Sequence, residues 1–180
     1  KNIAFTNTSS DGVNLWVLNL ESRSLVKLSD LQLNSNIGDV INWLNDSEIL
    51  IKVIPENKKE LIDQSDIVPL GPTISSNDGE NAQNRTYQDL LKNKTDEFNF
   101  EQLVTSDLYK VDLNGKINKW LDSDMYTDII PSPDGEFVMV SNIKKPFSYI
   151  VTYGRFPKST NIYDNEGMLV SNLVDVPLIE

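Results

Sequence analysis

Two short hairpin patterns recur along this chain in a fixed order, and that recurrence limits its fold more than any other feature. The clearer pattern is "YTDIIPSPDGEFVMVSNI", residues 126 to 143, in which Ser132-Pro133-Asp134-Gly135 parts two apolar runs. Proline fixes φ, aspartate bonds its own backbone and glycine accepts a positive φ, so the tetrad reads as the tight turn of a β-hairpin. "INWLNDSEILIKV" (41–53) aligns with "IIPSPDGEFVMVS" (129–141), with Asn45-Asp46-Ser47 at the turn. The second pattern is "LWVLNLESRSLVKL" (15–28), which aligns with "LYKVDLNGKINKWL" (108–121) after one gap. "NIYDNEGMLVSNL" (161–173) is a third copy. Each has alternating apolar residues, an Asn or Asp near the strand end, a short turn and a second short strand.

The unit is therefore two hairpins, or four antiparallel strands in roughly fifty residues, the pattern of one propeller blade. Similar hairpins build β-sandwiches, but repetition in fixed order at near-constant length favours the propeller. The spacing is uneven: 27 residues separate Asp134 from Asn161, whereas 62 separate Asp46 from Leu108. The middle unit thus carries an insertion at about 55–104, loop-like in composition. Within it, Thr86 and Asp89 form a T-x-x-D capping box. Tyr87, Leu90 and Leu91 then share one face of a short helix expected at roughly 86–92. "EFNFEQL" adds Phe98 and Phe100, while Asp96 and Glu97 read as solvated loop. The expected fold is all-β, a partial β-propeller of about three four-stranded antiparallel blades. Its parts are a partial blade (1–38), a blade with the insertion (39–121) and a further blade (122–180). Closed propellers typically have four to eight blades, so this chain is expected to be an open arc, part of something larger.

Composition removes several chemistries. There is no cysteine, hence no disulfide, thiol nucleophile or thiolate metal site. There is no histidine, so a Ser-His-Asp triad cannot be assembled here. No G-x-S-x-G elbow, phosphate-binding loop or metal-ligand spacing occurs, and neither a cofactor nor a metal is expected. A net charge of −11 with a pI near 4.4 has the wrong sign for nucleic-acid binding. No run of eighteen apolar residues exists, so no membrane span is expected.

The strings "RTYQDLLKNKTDEFNF", "TSDLYKVDLNG", "SPDGEFVMVSNIKKPFSYIV" and "GRFPKSTNIYDNEGMLVSNLVDVPLIE" resemble, in order, the N-terminal propeller of prolyl oligopeptidase family serine peptidases. The glutamyl endopeptidase-like branch, found in bacteria and plastids, is the nearest in pattern. The likeness runs from Gly71 to Glu180, and residues 1–54 share only the generic blade. It implies a parent peptidase in which the propeller caps a C-terminal α/β-hydrolase domain that carries Ser, Asp and His. Those three have no positions here, so the chain alone is expected to hydrolyse nothing. The implied role is to gate access and help select a peptide substrate.

If the parent cleaves after glutamate, a cation must hold the carboxylate, and arginine does so bidentately. Arg155, in "YGRFPK", is the leading candidate and Arg85, at the start of the expected helix, the second; Lys144 and Lys145 are weaker. The bland alternatives are that Arg155 anchors its loop through backbone carbonyls and that Arg85 is a surface or helix-packing residue. Expected partners are the peptide substrate and the hydrolase domain of the parent, with self-association of the open arc. A free-standing binding or scaffold module is the competing reading. The resemblance implies a periplasmic or secreted location, with the cytoplasm as the alternative.

Overall fold

The computed structural model describes residues 1–63 and 90–179. Three antiparallel sheets follow one another along the chain, each joining its strands in sequence order. The first contains β1 (Asn2–Ser9), β2 (Gly12–Asn19) and β3 (Leu25–Lys27). The second contains β4 (Ile41–Trp43), β5 (Glu48–Val53), β6 (Ser106–Asp112) and β7 (Ile117–Asp124). The third contains β8 (Tyr126–Pro131), β9 (Phe137–Ile143), β10 (Lys158–Asp164) and β11 (Leu169–Val176). The all-β, antiparallel expectation holds, and β4–β5 and β8–β9 are the two hairpins read from the first pattern.

The repeated Asn or Asp at a strand end has one physical role in all three sheets. Its side-chain oxygen accepts the backbone N–H groups of the turn that follows, at no cost in lost strand hydrogen bonds. Asn19 Oδ1 accepts from Glu21 and Ser22 at 3.0 and 2.9 Å. Asp112 Oδ1 accepts from Asn114 and Lys116 at 2.8 and 2.9 Å. Asp164 Oδ1 accepts from Glu166 and Met168 at 2.9 and 2.8 Å. The Lys116 N–H, foremost among these, holds the Asp112 carboxyl below the usual carboxylate range.

The sheets pack face to face through β5, whose sequence EILIKV has almost no exposed side. Ile49, Ile51 and Val53 pack with Leu15 and Val17 of the first sheet. Leu50, one residue out of phase, packs with Ile129, Val138 and Val140 of the third. Alternation in a strand therefore places one core on each side of the middle sheet. The outer faces of the first and third sheets stay open. Ile3, Phe5 and Leu25 are 47, 37 and 53 % exposed, and Ile130, Phe137 and Val174 are 52, 40 and 47 % exposed.

The helix differs from its expected position. Arg85 and the capping box Thr86–Asp89 lie outside the described residues, and Leu90–Lys92 are not helical. Instead α1 spans Lys94–Val104, taking in Asp96 and Glu97, which read as loop in the sequence. Asn93 is its N-cap, accepting the Asp96 N–H at 2.9 Å, and the two acids then sit in the first turn, where the helix dipole favours them.

The third sheet is pressed against the connection between β3 and β4. Gly38 has φ +60°, and a Cβ there would lie 2.0 Å from the Thr127 carbonyl oxygen in β8. Gly38→Ala should therefore lower stability by about 2–5 kcal/mol, combining the left-handed backbone cost with overpacking. Gly154→Ala meets nothing nearer than 4.0 Å and should change stability by less than about 0.5 kcal/mol. Urea titration of the two variants checks the contrast.

Candidate functional site

Described parts of three long connections, 28–40, 90–105 and 144–157, meet at one end of the sheets. Two of them are bound together by α1. Phe100 meets Phe147 and Phe156 edge to face, with ring centroids 5.2 and 5.7 Å apart, and lies 6.3 Å from Tyr153. Phe147 and Phe156 stack on each other at 5.3 Å. Glu101 pairs with Lys145 at 2.8 Å. The insertion's apolar face thus docks on the 144–157 connection.

The third connection closes the helix. Four carbonyls at a helix C-terminus have no intrahelical partner, and no glycine cap stands here. Asn34, 1 % exposed, donates its Nδ2 to the carbonyls of Leu103 and Thr105 at 2.9 and 2.8 Å. Asn36 adds a donor to Leu103 at 2.8 Å. Asparagine suits this task because one amide group reaches two carbonyls that face the same way.

Beside this cluster is a cavity of about 420 Å³ lined by Gly38, Asp128, Thr152, Tyr153, Gly154 and Lys158, among others. Beneath it, fully buried, Lys52 donates its Nζ to the Ile37 carbonyl. Burial lowers its pKa to about 8, against the opposing pull of Asp39 and Asp128. Asp128 accepts a hydrogen bond from Thr127 Oγ1 at 2.8 Å.

Arg155 ends a 3-10 turn, Tyr153–Arg155, held through backbone groups: its N–H donates to Thr152 at 2.9 Å and its carbonyl accepts from Ile179 at 3.2 Å. Its side chain is half-buried. Among the described residues the guanidinium has no ion pair, and neither has the Lys158 ammonium three residues on. Lys144 is paired with Asp124 at 2.8 Å, as Lys145 is with Glu101. Residues 152–154 line the cavity although Arg155 itself does not. Arg85 falls outside the described residues.

Sequence reasoning missed Lys52, Asp128 and Lys158. Lys52 left a signal, a single charge inside the apolar run EILIKV; the other two left none, because their meeting depends on how the sheets stack. A wider groove at the opposite end, about 980 Å³, is lined by turn residues such as Asn45, Asp46, Ser132 and Pro133. It is larger, and Lys1 is the one cationic residue named in its lining. Among the described residues no group of acidic side chains could hold a metal ion, and no helix is long and apolar enough to cross a membrane. The cavity offers charge and hydrogen bonding to a ligand.

Over 176 residues, 96% of this chain, the sequence is 38% identical to a rice protein (Oryza sativa subsp. japonica) named probable glutamyl endopeptidase, chloroplastic. An Arabidopsis thaliana protein of the same name is 33% identical over 189 residues, covering 100% of the chain. The chain belongs with the glutamyl endopeptidase-like proteins. It spans about a fifth of the length of these relatives, 19% and 20% respectively. Both names carry a chloroplast location, which lends the periplasmic expectation no support. No protein-family model matches the chain, and no solved structure matches it.

The buried lysine gives this glutamyl endopeptidase-like chain a defined pH response. With the folded pKa near 8 and the unfolded one near 10.4, the unfolded chain binds more protons between those values. Lys52 therefore costs stability below about pH 8, and that cost, roughly 3 kcal/mol, is relieved as pH rises towards 10. Calorimetric midpoints should carry a rising contribution from pH 7 to 9 that Lys52→Met removes.

Proposed function

We propose that this chain is part of a non-catalytic β-propeller in a glutamyl-specific serine peptidase of the prolyl oligopeptidase type, where it gates access and helps hold the substrate. The observation that carries this reading is the identity, at 38% over nearly the whole chain, to a protein named as a glutamyl endopeptidase. The stacked antiparallel sheets, two of four strands and one of three, support it, since each joins its strands in the order of a blade and the middle one is covered on both faces. The open outer faces are where neighbouring blades would pack in the full-length protein. The nucleophile and its imidazole base belong to another part of that protein, because this chain contains no histidine.

In this reading Arg155 is the cation that meets the substrate's acidic side chain. Its turn is fixed by backbone hydrogen bonds and by Phe156, which is 2 % exposed, so little backbone freedom is lost when a ligand binds. Lys158, on the cavity wall, is a second contributor.

In the full-length enzyme, Arg155→Ala should lower kcat/KM for a glutamyl peptide about ten- to a hundredfold, the loss of one charge-assisted hydrogen bond of roughly 1.5–3 kcal/mol. The glutaminyl analogue should hardly change. Equal loss on both substrates, or an earlier melting point, assigns Arg155 a structural role and removes it from the site.

A further inference from the structure

We propose that the buried Lys52 sets the charge of the cavity above it and so decides how well that cavity accepts an acidic substrate side chain. The inference rests on the function proposed above. Ile37, Gly38, Thr127 and Asp128 form one side of the cavity. Lys52 Nζ donates to the Ile37 carbonyl, and it would lie 3.5 Å from a Cβ placed on Gly38. The ammonium thus stands directly behind the wall. These atoms belong to β5, the 28–40 connection and β8. A buried charge there acts on the cavity whether or not other parts of the full-length protein cover its mouth.

An ammonium has three donors, and among the described residues Lys52 makes one hydrogen bond and no ion pair. Such a group is a poor structural device, since it costs stability that an apolar side chain of similar length would not. Its position suits an electrostatic task instead. The 28–40 connection contributes Asp39 and β8 contributes Asp128, and both act on Lys52. β4 has no ionisable side chain, and β6 sets Leu108 opposite Lys52. The far wall brings Tyr153 and Lys158, with Arg155 beside it.

Two carboxylates therefore face the place where a third must bind. With Lys52 charged, three cations outnumber the two acids. With Lys52 neutral, Arg155 and Lys158 only balance them, and the attraction for an incoming carboxylate fades. Burial brings the Lys52 pKa down to about 8, against the pull of Asp39 and Asp128. The charge is present below that pH and lost above it, while a glutamate side chain stays ionised throughout.

The test uses the full-length enzyme and two N-blocked peptides that differ only in glutamate or glutamine at the cleavage position. The ratio of their kcat/KM values is followed between about pH 7 and pH 9, since kcat/KM reports the free enzyme. Titrations that affect both peptides alike cancel, such as that of Lys110, whose pKa burial also lowers. The preference for glutamate should fall about tenfold as Lys52 loses its charge, with a midpoint near pH 8. Lys52→Met should give a low preference that no longer varies with pH. Asp128→Asn removes one carboxylate that helps keep the proton on Lys52, so it should move the midpoint to lower pH. That variant keeps the test decisive if Lys52→Met does not fold. A lysine with a purely structural role would change both peptides equally and leave the ratio unmoved. A glutamate preference that is high and constant over this range overturns the proposal, as does a pH dependence that survives Lys52→Met or a midpoint that Asp128→Asn leaves in place. Those results leave the assigned function standing, because the enzyme still selects glutamate. An enzyme with no preference for glutamate at pH 7 removes that function, and this inference with it.

Discussion

Everything else in this fold depends on β5 having both faces covered. Ile49, Leu50 and Ile51 are all completely buried, yet their side chains alternate between two separate cores. Burying one such side chain contributes about 1.5–3 kcal/mol, so a few residues of one strand bind three sheets. The same arrangement leaves no solvent for residue 52, and the lysine placed there must find its partners inside. It does so at the Ile37 carbonyl, which fixes the β3–β4 connection near Gly38. The position of the cavity wall follows from that anchoring.

A second dependence joins the insertion to the candidate site. The ring of Phe100 touches the 144–157 connection on either side of the turn that holds Arg155, through Phe147 and Phe156. Asn34 and Asn36 fix the other end of the same helix to the chain that leads into Gly38. Segments far apart in sequence are thereby held in one cluster, and a disturbance of α1 reaches both walls of the cavity.

The sequence made the hairpins legible because a turn is written in adjacent residues. Ser132-Pro133-Asp134-Gly135 states its geometry locally, and Asp112 and Asp164 bond groups no more than four residues away. The helix was hidden for a related reason. Phe98 and Phe100 alternate as in a strand, and only Phe100 enters the aromatic cluster, so the helical period is faint. Its C-terminal carbonyls are met by Asn34, 69 residues from Leu103, a partner no local pattern reveals. The cavity was illegible for the same cause, since Gly38, Asp128 and Lys158 meet only once the sheets have stacked. Arg155 was found through its resemblance-bearing string, and the structure adds how its turn is bound.

The charge balance bears on how such a site could hold an anion at all. A chain with net charge −11 repels an acidic peptide at long range, yet that field is screened beyond about 8 Å at physiological ionic strength. Within that radius the local arrangement decides. Lys94, Lys144 and Lys145 are each neutralised by a carboxylate within 3 Å, which removes them as competitors for a ligand. Among the described residues Arg155 and Lys158 have no such partner, and they stand on either side of Phe156 and Pro157, both buried. A carboxylate reaching them has no internal ion pair to break, so it gains the interaction without first paying to displace an acid.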